Sequence, residues 1–141
     1  MSVRGDLIAY LAGRAAIAAL VSNRVYRVKR PQGTPLPAIV VTRITGGYGH
    51  HLEGGDGKAS AVFQLSVFAE TNAAAEAVAE AIRDAMQGFM GGTWGTTEVD
   101  SVILQNELDL FEEDATGGDQ GTHHVVLEYL VVHTVSIPDP N

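Results

Sequence analysis

Cysteine is absent from this 141-residue sequence. Its absence excludes disulfide bonds, cysteine-based zinc sites and thiol nucleophiles, and it is typical of an intracellular protein. Basic residues are also scarce, since nine Lys and Arg stand against 17 Asp and Glu and give a formal net charge of -8. Such a surface repels polyphosphate and offers few cations for counterion release, so specific nucleic-acid binding is not expected.

Long apolar runs are missing as well. No segment approaches the roughly 20 uncharged apolar residues of a membrane span, and Arg14 interrupts the apolar stretch that a signal peptide would need. Hydrophobic residues nevertheless make up 45% of the sequence, which is enough for a buried core. We therefore expect a soluble single domain over residues 1–141, with no membrane partner.

Two segments have the apolar spacing of helices with one buried face. From Asp6 to Val21 apolar residues recur at intervals of three and four, and Asp6 is placed to cap the first turn. The same spacing follows Thr71 and Asn72, either of which suits a helix cap, and continues to Phe89. Two glycines just beyond that point are typical of a helix end.

Four segments predict strands, because they are rich in β-branched residues or alternate between apolar and polar positions. They are residues 38–44, 59–69, 99–104 and 124–135. In the second of them the alternation puts Ala61, Phe63, Leu65 and Val67 on one face, which we expect to be buried. The fold class predicted is α+β, with a mostly antiparallel sheet of about four strands and two helices packed on one face. The glycine-rich stretch 46–58 predicts a mobile loop, 107–121 a wide acidic connection, and 136–141 a flexible tail with two prolines.

No motif for catalysis or for cofactor binding is complete. Gly57-Lys58 lacks the other parts of a phosphate loop, since Leu52 stands where a glycine is needed and no Ser or Thr follows the lysine. The histidine pairs at 50–51 and 123–124 are adjacent in sequence, and neighbours on an extended chain point to opposite sides. We therefore predict no catalytic residue, no metal site and no cofactor, and we expect that the protein is not an enzyme.

Three stretches of the sequence occur in a familiar order. They are Arg24-Val25-Tyr26, the proline-rich lead from Pro31 to Val41, and the strand Val62–Ala69 followed directly by the alanine-rich segment Ala75–Ile82. This arrangement, from about Asp6 to Val135, resembles the tail terminator (tail completion) proteins of long-tailed bacteriophages.

The resemblance implies a structural virion protein with no active-site residues. It implies a ring of six copies that caps the finished tail tube, halts its polymerisation and presents a surface for head-tail joining. The implied partners are other copies of the chain, the tail tube protein and a head-completion or connector protein, with DNA able to pass through the ring. The implied location is the tail and neck of the virion, after assembly in the host cytoplasm.

Two groups of residues are candidates for contacts in such an assembly. The first is expected to meet a neighbouring subunit or the tube, and it consists of Gly46, Gly47, Tyr48, His50, His51, Glu53, Asp56, Lys58 and Trp94. For Trp94 an equally good interpretation is a lid on the protein's own core. The second group is expected to face a channel, where negative charge would keep DNA from sticking, and it consists of Glu112, Glu113, Asp114 and Asp119.

Two alternatives stay open at the level of sequence. One is another neck or head-closure ring protein, which would bind the portal side instead of the tail tube. The other is a small ligand-binding domain or enzyme that uses the histidines and carboxylates. A deep pocket enclosing His50, His51 or His133 would favour this second alternative.

Overall fold

Helices and strands account for most of the chain that the structure describes. A computed structural model describes residues 3–30, 33, 35–51, 54–87, 89, 91–112 and 122–134, and at 45–51, 54–57 and 112 it describes the backbone alone. Within these residues there are three helices and six strands. In chain order they are α1 (Val3–Ala12), α2 (Ala15–Val21), β1 (Val25–Arg27), β2 (Ala38–His51), β3 (Gly54–Ala69), α3 (Asn72–Met86), β4 (Gly92–Trp94), β5 (Thr97–Glu112) and β6 (Thr122–Thr134).

The strands form one mixed sheet in the order β1-β2-β3-β6-β5-β4. β1 runs parallel to β2, and the other neighbours in the sheet are antiparallel. The predicted sheet of about four strands with two helices is therefore wrong, although the α+β class holds. The additional strands β1 and β4 are three residues long, which is too short for an alternating pattern to be recognised in the sequence.

The N-terminal helix differs from its prediction in both its start and its continuity. It begins at Val3 and ends at Ala12, and a second helix starts after Arg14, whose backbone is extended. Asp6 is thus inside α1 and is not its cap, and its side chain is buried, with 1% of the residue exposed. Gly13 and the extended Arg14 split the helix because glycine adds no helical preference at that point.

The prediction of a loop at 46–58 is wrong for the backbone. β2 continues to His51 and β3 begins at Gly54, with Tyr48 opposite Ala59 and His51 opposite Gly54. Glycine weakens a strand, but pairing across the ladder extends the hairpin through the glycine-rich segment. Mobility of this hairpin stays a prediction, and residues 52–53 and the tail 136–141 lie outside the described residues.

The acidic connection is also shorter than predicted. β5 runs to Glu112, so residues 107–112 are strand, paired with β6 from Glu107 opposite Leu127 to Glu112 opposite Thr122. The predicted third strand, 99–104, is therefore only part of a strand of 16 residues. The acidic charge of this stretch favoured the prediction of a loop, although Leu108 and Leu110 alternate with Glu107 and Asp109 as they do in a strand.

The core lies between the helices and one face of the sheet. The predicted inward face of β3, which is Ala61, Phe63, Leu65 and Val67, is confirmed, since each of these residues is at most 2% exposed. α3 packs on β3 and β6 through an apolar stripe that includes Val78, Ile82 and Met86. Its predicted cap is confirmed at Thr71, whose Oγ1 accepts a hydrogen bond from the Ala74 amide at 3.1 Å. The helices cover one face of the sheet, so the candidate contact surfaces are its two outer edges.

Candidate assembly interface

The outer part of β5 is an exposed edge. β4 pairs with β5 only at residues 97–99, and every residue from 103 to 111 is exposed. Among the described residues, five of the seven exposed large hydrophobic side chains lie here. They are Ile103, Leu104, Leu108, Leu110 and Phe111. Natural edge strands are usually short, charged or covered, so a long apolar edge of this kind marks a contact surface.

The two faces of this edge differ in chemistry. Residues directly opposite each other in an antiparallel pair lie on the same face of the sheet. Glu107 and Asp109 stand opposite the buried Leu127 and Val125, so they lie on the face that carries the helices. Ile103, Leu108 and Leu110 stand opposite β6 residues Leu130, Val126 and His124, which lie on the other face of the sheet. Both carboxylates therefore lie on the helix face, together with Leu104 and Phe111, and the other three exposed hydrophobic side chains lie on the opposite face.

A second long edge lies at the opposite side of the sheet. β1 covers β2 only at residues 39–41, and the Val28 amide adds one hydrogen bond to the Val41 carbonyl at 3.0 Å. Beyond that point β2 continues to His51, with no strand on its outer side among the residues that the structure describes. Arg43 and Ile44 are exposed at the start of this stretch.

Three arginines gather beside this second edge. Arg27 lies opposite Val41 and Arg43 opposite Phe63, so both are on the helix face of the sheet, and Arg4 belongs to the adjacent α1. Partial burial lowers the pKa of Arg4, with smaller contributions from the positive charges of Arg27 and Arg43. Within the described part of the chain none of the three is in an ion pair. Arg27 and Arg43 are exposed to solvent.

The acidic edge is only partly neutralised within the chain. Glu107 forms an ion pair with Arg83 of α3, which also approaches Glu76 at 4.0 Å. Asp109 is exposed and forms no ion pair within the described ranges. A surface pair such as Glu107 with Arg83 contributes little to stability. Asp109 therefore still gives this edge a negative charge.

Most of the predicted contact residues fall on the β2-β3 hairpin. Gly46, Gly47, Tyr48, His50 and His51 belong to β2, and Asp56 and Lys58 to β3. Lys58 forms an ion pair with Asp100 of β5 inside the same subunit. Glu53 lies outside the described residues, as do Glu113, Asp114 and Asp119 of the predicted channel group, and of Glu112 only the backbone is described.

Trp94 is part of the core. It is 1% exposed, and its ring lies 5.2 Å from the ring of Tyr10 and 5.5 Å from that of Phe89, measured between centroids. The Tyr10 hydroxyl donates a hydrogen bond to the Ala85 carbonyl at 2.6 Å and so ties α1 to α3. Of its two predicted roles, this position suits the lid on the core, because almost no Trp94 surface is left for a partner.

The histidines are spread over different environments. The His124 ring stacks on Phe68 at 4.2 Å, and the His123 ring lies 4.9 Å from that of Phe111. An open groove is lined by Lys29, Arg30, Phe68, His124 and neighbouring residues, but not by His133. In the described part of the chain, no three His, Asp or Glu side chains are grouped to hold a metal ion.

His133 gives a prediction for the dependence of stability on pH. Burial lowers its pKa, opposed by a contact of Nδ1 with the Thr134 carbonyl at 3.4 Å, with Arg43 and Asp100 acting in opposite directions. The unfolded chain therefore binds the proton more readily than the folded chain. The contribution of neutral His133 to the free energy of unfolding is complete above pH 6.5 and is lost as the pH falls toward the lowered pKa. Urea unfolding at pH 8 and pH 5.5 should show a smaller loss for His133→Gln than for the wild type. Parallel losses would contradict this assignment.

The basic cluster and the apolar edge were both missed by the analysis of the sequence. Arg4, Arg27 and Arg43 come from three separate elements, and only the fold brings them together. One signal was available, since the first 44 residues hold seven of the nine Lys and Arg and only one of the 17 Asp and Glu.

No helix in the described residues is long and apolar enough to cross a membrane.

Over the residues that the structure describes, the chain is a small α+β domain with two long sheet edges open to other chains. The chain matches the family model of the tail completion protein gp17 over residues 5–134. It therefore belongs to the tail completion protein gp17 family, which is a family of structural bacteriophage tail proteins and not of enzymes. The resemblance noted in the sequence is confirmed, and the protein is a structural component of the virion.

A solved structure shares the fold. It is a chain from the "Virion of native gene transfer agent (GTA) particle", which superposes with a TM-score of 0.60 at 21% sequence identity. The match covers 93% of this chain and 95% of that chain. No curated protein matches the sequence.

Proposed function

We propose that this tail completion protein forms a closed ring of six copies that caps the tail tube, stops its polymerisation and provides the surface for head-tail joining. The observation that carries the proposal is the pair of long unpaired edges, β5 and β2, on opposite sides of one sheet. Unpaired backbone groups and exposed apolar side chains at an edge favour pairing with another chain.

Two different edges on one subunit support a head-to-tail contact. Such a contact, repeated around a rotation axis, gives either a closed ring or an open fibre, depending on the angle. A closed ring uses every edge and leaves none for a further subunit. That property suits a protein whose task is to end the growth of a tube.

The remaining contacts belong to the same proposal. The hairpin that carries Gly46, Gly47, Tyr48, His50 and His51 would reach an adjacent subunit or the tail tube protein. The acidic residues that follow, Glu112, Glu113, Asp114 and Asp119, would face the channel of the ring and repel DNA. The head-completion or connector protein would meet the other side of the ring, after assembly in the host cytoplasm.

The test is native mass spectrometry with negative-stain imaging of the pure protein over a concentration series. The expected result is a closed ring of about six copies that appears as the concentration rises. The same protein should bind isolated tail tubes at one end. Binding to portal-bearing heads but not to tubes would favour a head-closure role, and a protein that forms no ring and binds neither partner would contradict the proposal.

A further inference from the structure

We propose that subunits join by pairing the free edge of β5 in one copy, residues 103–112, with the free edge of β2 in the next copy, residues 43–51. The sheet would then continue from subunit to subunit. This inference rests on the proposed ring, and it names the two surfaces that would close it. The partner is a second copy of this chain, which the distribution of charge, the direction of the strands and the length of the edges each support.

Charge is separated along the sequence and then across the sheet. After residue 44 the chain holds 16 of its 17 acidic residues and only two of its nine Lys and Arg. The fold places Arg4, Arg27 and Arg43 beside the β2 edge, and Glu107 and Asp109 at the β5 edge. One subunit therefore presents a basic edge on one side and an acidic edge on the other.

The opposite charges also lie on the same face. Arg27 and Arg43 are on the helix face of the sheet, and so are Glu107 and Asp109. Side chains keep their faces when a sheet continues across a junction, because they alternate with a period of two. A β5 edge paired with a neighbouring β2 edge would thus bring the carboxylates beside the arginines.

The direction of the strands fits such a junction. β2, β3, β6 and β5 alternate in direction, so β2 and β5 of one subunit are antiparallel. A neighbour related by rotation about an axis close to the strand direction presents its β2 antiparallel to this β5. The junction then has the same geometry as the antiparallel pairs inside the subunit, which suits continuous hydrogen bonding.

The two free stretches are similar in length. Full antiparallel overlap of 103–112 with 43–51 brings Arg43 beside the end of β5 that carries Asp109. The exposed Ile103, Leu108 and Leu110 on the other face, at 38–51% exposure, would gain cover from the neighbour. Burial of apolar surface would supply much of the driving force, and the charges would fix the choice of partner edge.

Charge disfavours one symmetric alternative. Two β5 edges related by a two-fold axis would bring Glu107 and Asp109 beside the same carboxylates of the other copy. Like charges opposite each other destabilise a strand pair. Two β2 edges would place their Arg43 side chains at opposite ends of the junction, without the carboxylates of the β5 edge, so the contact between unlike edges is preferred.

Charge reversal on each edge tests the pairing. Asp109→Lys and Arg43→Glu change exposed side chains, so thermal unfolding of the monomer should stay close to that of the wild type. Each variant alone should show at least about a tenfold rise in the concentration at which rings form, because it faces like charges at every junction. A 1:1 mixture of the two variants should recover rings, since an alternating arrangement restores unlike charges at every junction.

Glu98→Lys is the matched control. Glu98 is exposed and lies in the part of β5 that β4 covers, outside the free stretch 103–112, so this variant makes the same change in net charge as Asp109→Lys and should assemble like the wild type. Rings that form normally from both edge variants would overturn the pairing while leaving the proposed ring intact. A mixture that stays dispersed would overturn the head-to-tail pairing of these two edges. A wild-type protein that forms no ring and caps no tube would contradict the proposed function itself.

Discussion

Trp94→Ala should lower the free energy of unfolding by about 3–5 kcal/mol, the usual cost of removing a large buried aromatic side chain. Trp94 is 1% exposed and packs between Tyr10 of α1 and Phe89, which follows α3. Its loss leaves a cavity at the point where the N-terminal helix, the end of α3 and the short strand β4 meet. Urea unfolding of the monomer, followed by far-UV circular dichroism, measures the change.

Phe111→Ala is the control for this substitution. Phe111 is also a large aromatic residue, but it is 51% exposed on β5, and its truncation should change monomer stability by less than about 1 kcal/mol. Equal effects of the two substitutions would contradict the position of Trp94 in the core. If Phe111 lies in the junction between subunits, its truncation should instead weaken ring formation.

Gly95→Ala should cost about 2–4 kcal/mol, from backbone strain and a steric clash together. Gly95 has a φ of +56°, and an added Cβ would lie 2.7 Å from Oδ1 of Asp6. Asp6 is not free to move away, because it is buried and its Oδ2 accepts hydrogen bonds from the hydroxyls of Thr96 and Thr97. The turn between β4 and β5 therefore packs directly against α1.

Gly91→Ala separates the strain from the clash. Gly91 also has a positive φ, of +86°, but an added Cβ there meets no atom within 4 Å. We expect this control to cost about 1–2 kcal/mol, the strain alone. Thermal or urea unfolding of the two variants side by side gives the difference, and identical losses would contradict the close contact between Gly95 and Asp6.

The role of the buried Asp6 in the fold differs from the role that its position in the sequence predicts. A carboxylate near the start of a helix is the usual signal for a cap, and the apolar spacing around it agreed. In the fold, Asp6 instead joins α1 to the β4-β5 turn across some 90 residues of sequence. No local pattern carries information about a hydrogen bond over that separation.

Local patterns were reliable where the periodicity was strong. The stripe of α3, its Thr71 cap and the inward face of β3 were all predicted and confirmed, because burial against a core imposes periods of 3.6 and 2 on the sequence. The glycine-rich half of the β2-β3 hairpin and the acidic half of β5 were not recognised as strands. Both are held by cross-strand pairing, the first in spite of its glycines and the second with residues 107–111 exposed.

The sequence by itself determined the class of this protein. It supplied the absence of catalytic motifs, the α+β content, the amphipathic α3 and the order of segments that placed the chain in the tail completion protein gp17 family. It also held the separation of basic from acidic residues along the chain. These properties depend on composition, local periodicity and order, which can be read without knowing which strands are neighbours.

Only the tertiary structure decided where those charges lie. The strand order β1-β2-β3-β6-β5-β4 sends the basic N-terminal segments to one side of the sheet and the acidic β5 to the other, on one common face. It also leaves β5 and β2 longer than the short strands beside them, and so creates the two free edges. Neighbours in a sheet are set by long-range pairing, and that is why the surface proposed to join the subunits is absent from any local pattern of residues.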